Sequence, residues 1–161
     1  MFNKGFLVSV FIFALVLSAC SASATSLPQA TATVDPCQPQ VARTIAQKMH
    51  SHMREFGDAS TLASALTTDK LPSAIAEMQR IRRAAQDEPA PSACLGKLKK
   101  LEVDHMNTVI ITFLALLNGE KAENLKTAID NARSLNEAYN VELASVLGLT
   151  LMPRPTVTPT P

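Results

Sequence analysis

Tryptophan is missing from this 161-residue sequence, tyrosine occurs once, at Tyr139, and aromatic residues make up only 4 % of the chain. With so few aromatic faces there is no platform on which bases could stack, and sugar binding is disfavoured for the same reason. Glycine is rare too, five residues in all. No glycine-rich loop cradles a phosphate, and no Gly-x-Ser-x-Gly elbow presents a nucleophile. The three cysteines include no Cys-x-x-Cys pair, which removes thioredoxin-like redox chemistry and haem attachment. Neither sign of charge is in excess, with 15 Lys and Arg against 14 Asp and Glu. The composition therefore gives no general electrostatic case for a nucleic-acid partner. Together these absences point to a non-enzymatic protein without a cofactor.

What is present begins with a short apolar run, Gly5 to Ala19, introduced by Lys4 and closed by Cys20. A membrane-spanning helix needs about 20 apolar residues, and this run is shorter. A charged start, a short apolar centre and small residues before a cut site make a secretory signal. The four residues Leu17-Ser18-Ala19-Cys20 resemble the lipobox of bacterial lipoproteins. The resemblance implies cleavage before Cys20 and lipid attached to its sulfur and its new amino group. It further implies an extracytoplasmic place in the cell envelope, with membrane lipid as the first partner. Two or more acyl chains make such an anchor stable where one does not.

The chain then divides naturally. Residues 1–19 are the expected signal peptide. Residues 20–35 carry the lipidated cysteine and a small, polar, flexible linker with a reach of roughly 20 Å. Residues 36–152 form the expected domain, and the Pro- and Thr-rich residues 153–161 an extended or disordered tail. Abundant Ala and Leu with little Gly favour helices.

Four helices are expected. The first runs from Pro36 to Phe56, with Asp35 as its cap, Val41, Ile45, Met49, His52 or Met53, and Phe56 along one face, and Gly57 as its stop. Residues 58–70 are ambiguous. The second runs from about Leu71 to Gln86 with Ile75, Met78, Ile81 or Arg82, and Ala85 inward, and ends before Pro89 and Pro91. The third starts at Ser92 as cap and reaches Leu117, with Asn118-Gly119 as a tight end and a stripe taking in Leu95, Leu98, Leu101, His105, Val109, Thr112, Phe113 and Leu116. Its last nine residues are apolar all round, so they are either the most buried part of the chain or an exposed partner surface. The fourth runs from Glu120 to Leu147, with Leu125, Ile129, Ala132, Asn136, Tyr139, Leu143 and Val146 inward and Gly148 as its stop. Short connections make this an all-α, up-down-up-down four-helix bundle. With Cys20 lipidated, Cys37 and Cys94 remain as an even pair that bridges outside the cytoplasm. Both lie near helix starts at the same end of an alternating bundle, although on diagonal helices.

Three groups of residues carry candidate chemistry. Met49, His52, Met53 and His105 bring thioether and imidazole ligands to helices 1 and 3, a donor set suited to copper, whereas Met49 and Met53 on the apolar stripe also read as core. His50 points away from that stripe. Glu102-Val103-Asp104-His105 resembles half of a ferritin-like di-iron site, but that family needs two such motifs and two further Glu, and here the motif occurs once. Glu102 and His105 alternatively join Arg133 and Asn136 in a buried polar layer. Last, Arg80, Arg82, Arg83, Lys97, Lys99 and Lys100 form a basic collar that would face the membrane, or else a solvated face. The sequence thus leaves two functions: a helical interaction or structural module of the envelope that presents its surface to another envelope protein, or a lipoprotein binding a small ligand or copper between helices 1 and 3.

Overall fold

In the computed structural model, residues 35–149 are described. The expectations for the signal peptide, for lipidation at Cys20, for the linker up to residue 34 and for the Pro/Thr-rich tail fall outside them. Four helices follow one another: α1 (Pro39–Ser64), α2 (Leu71–Asp87), α3 (Ser92–Leu117) and α4 (Lys126–Leu147), with a single 3-10 turn, Ala122–Leu125, leading into α4. They form the up-down-up-down bundle, and no strand occurs among the described residues. None of these helices is long and apolar enough to cross a membrane.

Local chemistry explains most of the boundaries. The Asp35 side chain accepts a hydrogen bond from the Cys37 amide at 2.9 Å, and the Gln38 amide closes on the Asp35 carbonyl. That turn uses up Asp35, so Pro39 rather than Pro36 takes the first helical position, where a missing N–H costs nothing. At its far end α1 continues through Gly57 to Ser64, well past the expected stop. One glycine inside a helix costs about 1 kcal/mol, and three features offset it. Ala59 and Ala63 continue the inward stripe, each added residue gains a backbone hydrogen bond, and the Ser60 and Thr61 hydroxyls donate back to the Gly57 carbonyl.

The ends of α3 and α4 match their glycines. Gly119 and Gly148 take the left-handed conformation, with φ of +88° and +71°. In both, the amide after the glycine returns to a carbonyl one turn back, Glu120 to Ala115 and Leu149 to Ala144, the six-to-one bond of a Schellman ending. At the start of α3 the cap is Pro91 and not Ser92, whose side chain makes no capping bond.

The core is built from Met49, Phe56, Met78, Ile81, Leu95, Leu98, Met106 and Tyr139, all closed off from solvent. Full burial of such side chains is worth about 1.5–3 kcal/mol each. The buried seam of α3 runs Leu95, Leu98, Glu102, Met106 and Ile110. It is turned by one residue from the expected stripe, and Leu101, His105 and Val109 are only half-buried. The reason is topological. α3 packs against α2 and α4 and also directly against α1 across the diagonal, so it is covered on several sides and its hydropathy does not mark one face. Ile129, expected inward, is 42 % exposed.

The direct α1–α3 contact also brings the cysteines together. Cys37 and Cys94 form a disulfide with Cα atoms 5.8 Å apart, within the ordinary range for a bridge. Cys37 sits in the turn before α1 and Cys94 in the first turn of α3. Every buried residue described lies between Ala42 and Ala144, and residues 35–149 fall in one compact unit. The described core is thus drawn from the bundle's own helices.

Candidate functional site

Two features stand apart from ordinary core packing: a polar layer at mid-bundle and an apolar pocket at one end.

The polar layer is centred on Glu102, whose side chain is fully buried. Neither carboxyl oxygen has a hydrogen-bond partner among the described residues. His52 of α1 is its nearest polar neighbour, with Nδ1 3.8 Å from Oε1. Burial pushes the Glu102 carboxyl up to about 8, against a smaller downward pull from Lys99. A carboxyl so placed is mostly protonated at neutral pH, because desolvation of its charge is not compensated. Tyr139 of α4 is also fully buried, and its hydroxyl has no hydrogen-bond partner among the described residues. Burial raises its pKa, and the nearby Glu102 adds to the rise. His50 stacks on the Tyr139 ring with centroids 6.4 Å apart and planes 17° from parallel. It therefore faces α4 rather than pointing away from the core.

His105 turns elsewhere. Its Nδ1 lies 2.9 Å from the Ala132 carbonyl, to which a neutral imidazole donates, and its ring meets Phe56 edge-on at 6.1 Å. Burial lowers its pKa, which keeps it neutral. Met49 and Met53 are core residues. The four expected metal ligands thus have separate roles, and among the described residues no group of three or more His, Cys, Asp or Glu could hold a metal ion. One expected polar partner of Glu102, Arg133, lies elsewhere. Arg133 is exposed and pairs with Asp130 at 3.4 Å, because its position on α4 faces solvent. His52 and Tyr139 surround Glu102 instead.

The basic collar is largely engaged within the protein. Arg80 pairs with Glu55 and Glu77, Lys97 with Glu142, and Lys100 with Asp104. Arg82 bonds to Gln86. Lys99 donates to the Ala85 and Glu88 carbonyls, closing the last turn of α2, a favourable place for a cation. Arg83 is exposed.

The pocket lies at the end opposite the disulfide, where α1 and α3 finish and α2 and α4 begin. It has a volume of about 750 Å³, and its apolar wall includes Leu66, Leu71, Val109, Phe113, Leu116 and Ile129. A cavity of this size and character suits a ligand of a few hundred daltons. The apolar run of α3 supplies much of the wall, so it is divided between core and pocket. Ile110 and Thr112 are buried, Phe113 and Leu116 border the pocket, and Ile111 is 64 % exposed. The exposure of Ile129 has the same origin.

Sequence reasoning offered a buried Glu102 only as one alternative, with Arg133 and Asn136 beside it, and missed the pocket. The first had a signal: Glu102 stands four residues after Leu98 and four before Met106, in helical register with both. The second had none, since it is enclosed by segments far apart in the chain. Comparison of the chain with family models, with curated proteins and with solved structures returned no match.

Proposed function

We propose that this protein is an exported, lipid-anchored and non-enzymatic binding module of the cell envelope, which takes an apolar molecule into the pocket at the end of its helical bundle. The pocket itself carries this reading: about 750 Å³ walled by apolar side chains from all four helical segments, on a fold rigidified by a disulfide at the other end. The lipobox-like residues before Cys20 support the anchor. Since α1 is 26 residues long, a rise of 1.5 Å per residue sets the pocket about 39 Å from the start of the bundle. A ligand would therefore be taken up on the side away from the tether.

The alternative between α1 and α3 loses support from the packing of His105 against Phe56 and Ala132. A helical segment of another envelope protein is the second reading. It is favoured by Leu62 and Ile111, 62 % and 64 % exposed, each beside pocket-lining residues in sequence.

The test is binding of an environment-sensitive apolar dye to residues 34–161, in the native protein and in a variant with the pocket filled by Ile129→Trp. Fluorescence enhancement in the native protein, lost in the variant while helicity is kept, is the expected result. Enhancement that is equal in both, or absent from both, would remove the pocket as the binding site.

A further inference from the structure

The polar side chains of the pocket specify which apolar molecule it takes. Five hydroxyls and one carboxylate line it: Ser60, Thr61, Ser64, Thr68, Thr112 and Glu120. Four of the five hydroxyls have already committed their protons to their own helices. Ser60 and Thr61 donate to the Gly57 carbonyl, Ser64 to Thr61, and Thr112 to Thr108. A hydroxyl whose proton is engaged still offers lone pairs, so these four face a ligand as acceptors. Glu120 accepts a bond from the Asn124 amide on one oxygen and has further acceptor capacity. Among the described residues no Lys, Arg or His lines the pocket. The lysines that border this end in sequence, Lys70, Lys121 and Lys126, are exposed, and Lys126 is paired with Asp130. The helix dipoles do not decide the sign either. Two helices end here and two begin, so their partial charges alternate and largely cancel. What remains is an apolar wall with acceptors and one negative charge at its mouth.

Resting on the pocket-binding reading above, we infer that the ligand is an apolar chain or ring bearing a hydrogen-bond-donating head, a protonated amine or a hydroxyl, and not a carboxylate or phosphate. An anionic head placed there would meet Glu120 with no cation among the described lining residues to offset the repulsion and with only the Thr68 hydroxyl left to donate to it, whereas an ammonium satisfies several acceptors at once.

The experiment compares decylamine, decanol and decanoate, below their micellar concentrations, as competitors for the dye on residues 34–161. Decylamine is expected to displace the dye at concentrations at least tenfold lower than decanoate, with decanol between them. Glu120→Lys should reverse the order of amine and carboxylate, and Glu120→Gln should reduce the amine's advantage. Glu120 is exposed, so neither change should affect folding, which circular dichroism monitors. Decanoate competing as well as decylamine, or an order unchanged in Glu120→Lys, overturns the assignment of the head group and leaves the pocket reading standing. Dye binding insensitive to all three competitors and to Ile129→Trp overturns the pocket reading itself.

Discussion

His52 places its Nδ1 atom 3.8 Å from a carboxyl oxygen of Glu102, beyond hydrogen-bonding distance, with both atoms closed off from solvent. An ion pair at that depth would need close geometry and further hydrogen bonds to offset desolvation, and neither is present. The carboxyl is therefore held as a neutral acid, and the layer it forms with His52 and Tyr139 is a polar inclusion in the core rather than a salt bridge.

This gives a signed pH dependence. Well below pH 4.5 Glu102 is protonated in the folded and unfolded chains alike. Between 4.5 and about 8 the unfolded chain releases a proton that the bundle retains. Stability therefore falls as pH rises through this window and levels off above it. The loss is on the order of a few kcal/mol. Glu102→Gln should remove this part of the slope. Urea unfolding of both proteins at pH 5, 7 and 9 measures the difference, and curves that stay parallel would contradict the neutral-acid reading.

Tyr139 separates shape from polarity. Its ring is fully buried, but its hydroxyl bonds to nothing described. Tyr139→Phe removes an unsatisfied polar group and should leave stability unchanged or raise it by about 1 kcal/mol. Tyr139→Ala should cost about 3–5 kcal/mol by opening a cavity. Chemical denaturation checks both, and a large loss in the phenylalanine variant would reveal a hydrogen bond in solution.

Gly57 lies inside α1, and a Cβ added there would meet nothing within 4 Å. Gly57→Ala should stabilise the protein by about 0.5–1 kcal/mol. A higher melting temperature is the expected observation, and a lower one would show that α1 ends or bends at this residue.

The disulfide spans a sequence separation of 57. Constraining the unfolded chain over such a loop is worth about 4 kcal/mol. Cys37→Ser with Cys94→Ser should lower the unfolding free energy by about that amount while the helices persist at 25 °C, because the core seals without the sulfurs. Reduction of the native protein should reproduce the effect.

Helix positions, the glycine endings at Gly119 and Gly148 and the pairing of Cys37 with Cys94 were legible from residue order because they depend on nearby residues, or on which helix starts share an end. The inward faces of α2, and of α1 from Met49 onward, were legible too, since Met49, Phe56, Met78 and Ile81 recur at helical spacing against polar surroundings, whereas at the start of α1 Ala42 and Ala46 are buried in place of Val41 and Ile45. Only the tertiary structure decided the inward face of α3, the burial of Glu102, the turn of His50 onto Tyr139 and the pocket between helix ends. A helix covered on several sides carries no single apolar stripe, and a cavity is a property of the space between segments distant in the chain. Periodicity along one segment does not encode that space; it is fixed when the four helices pack.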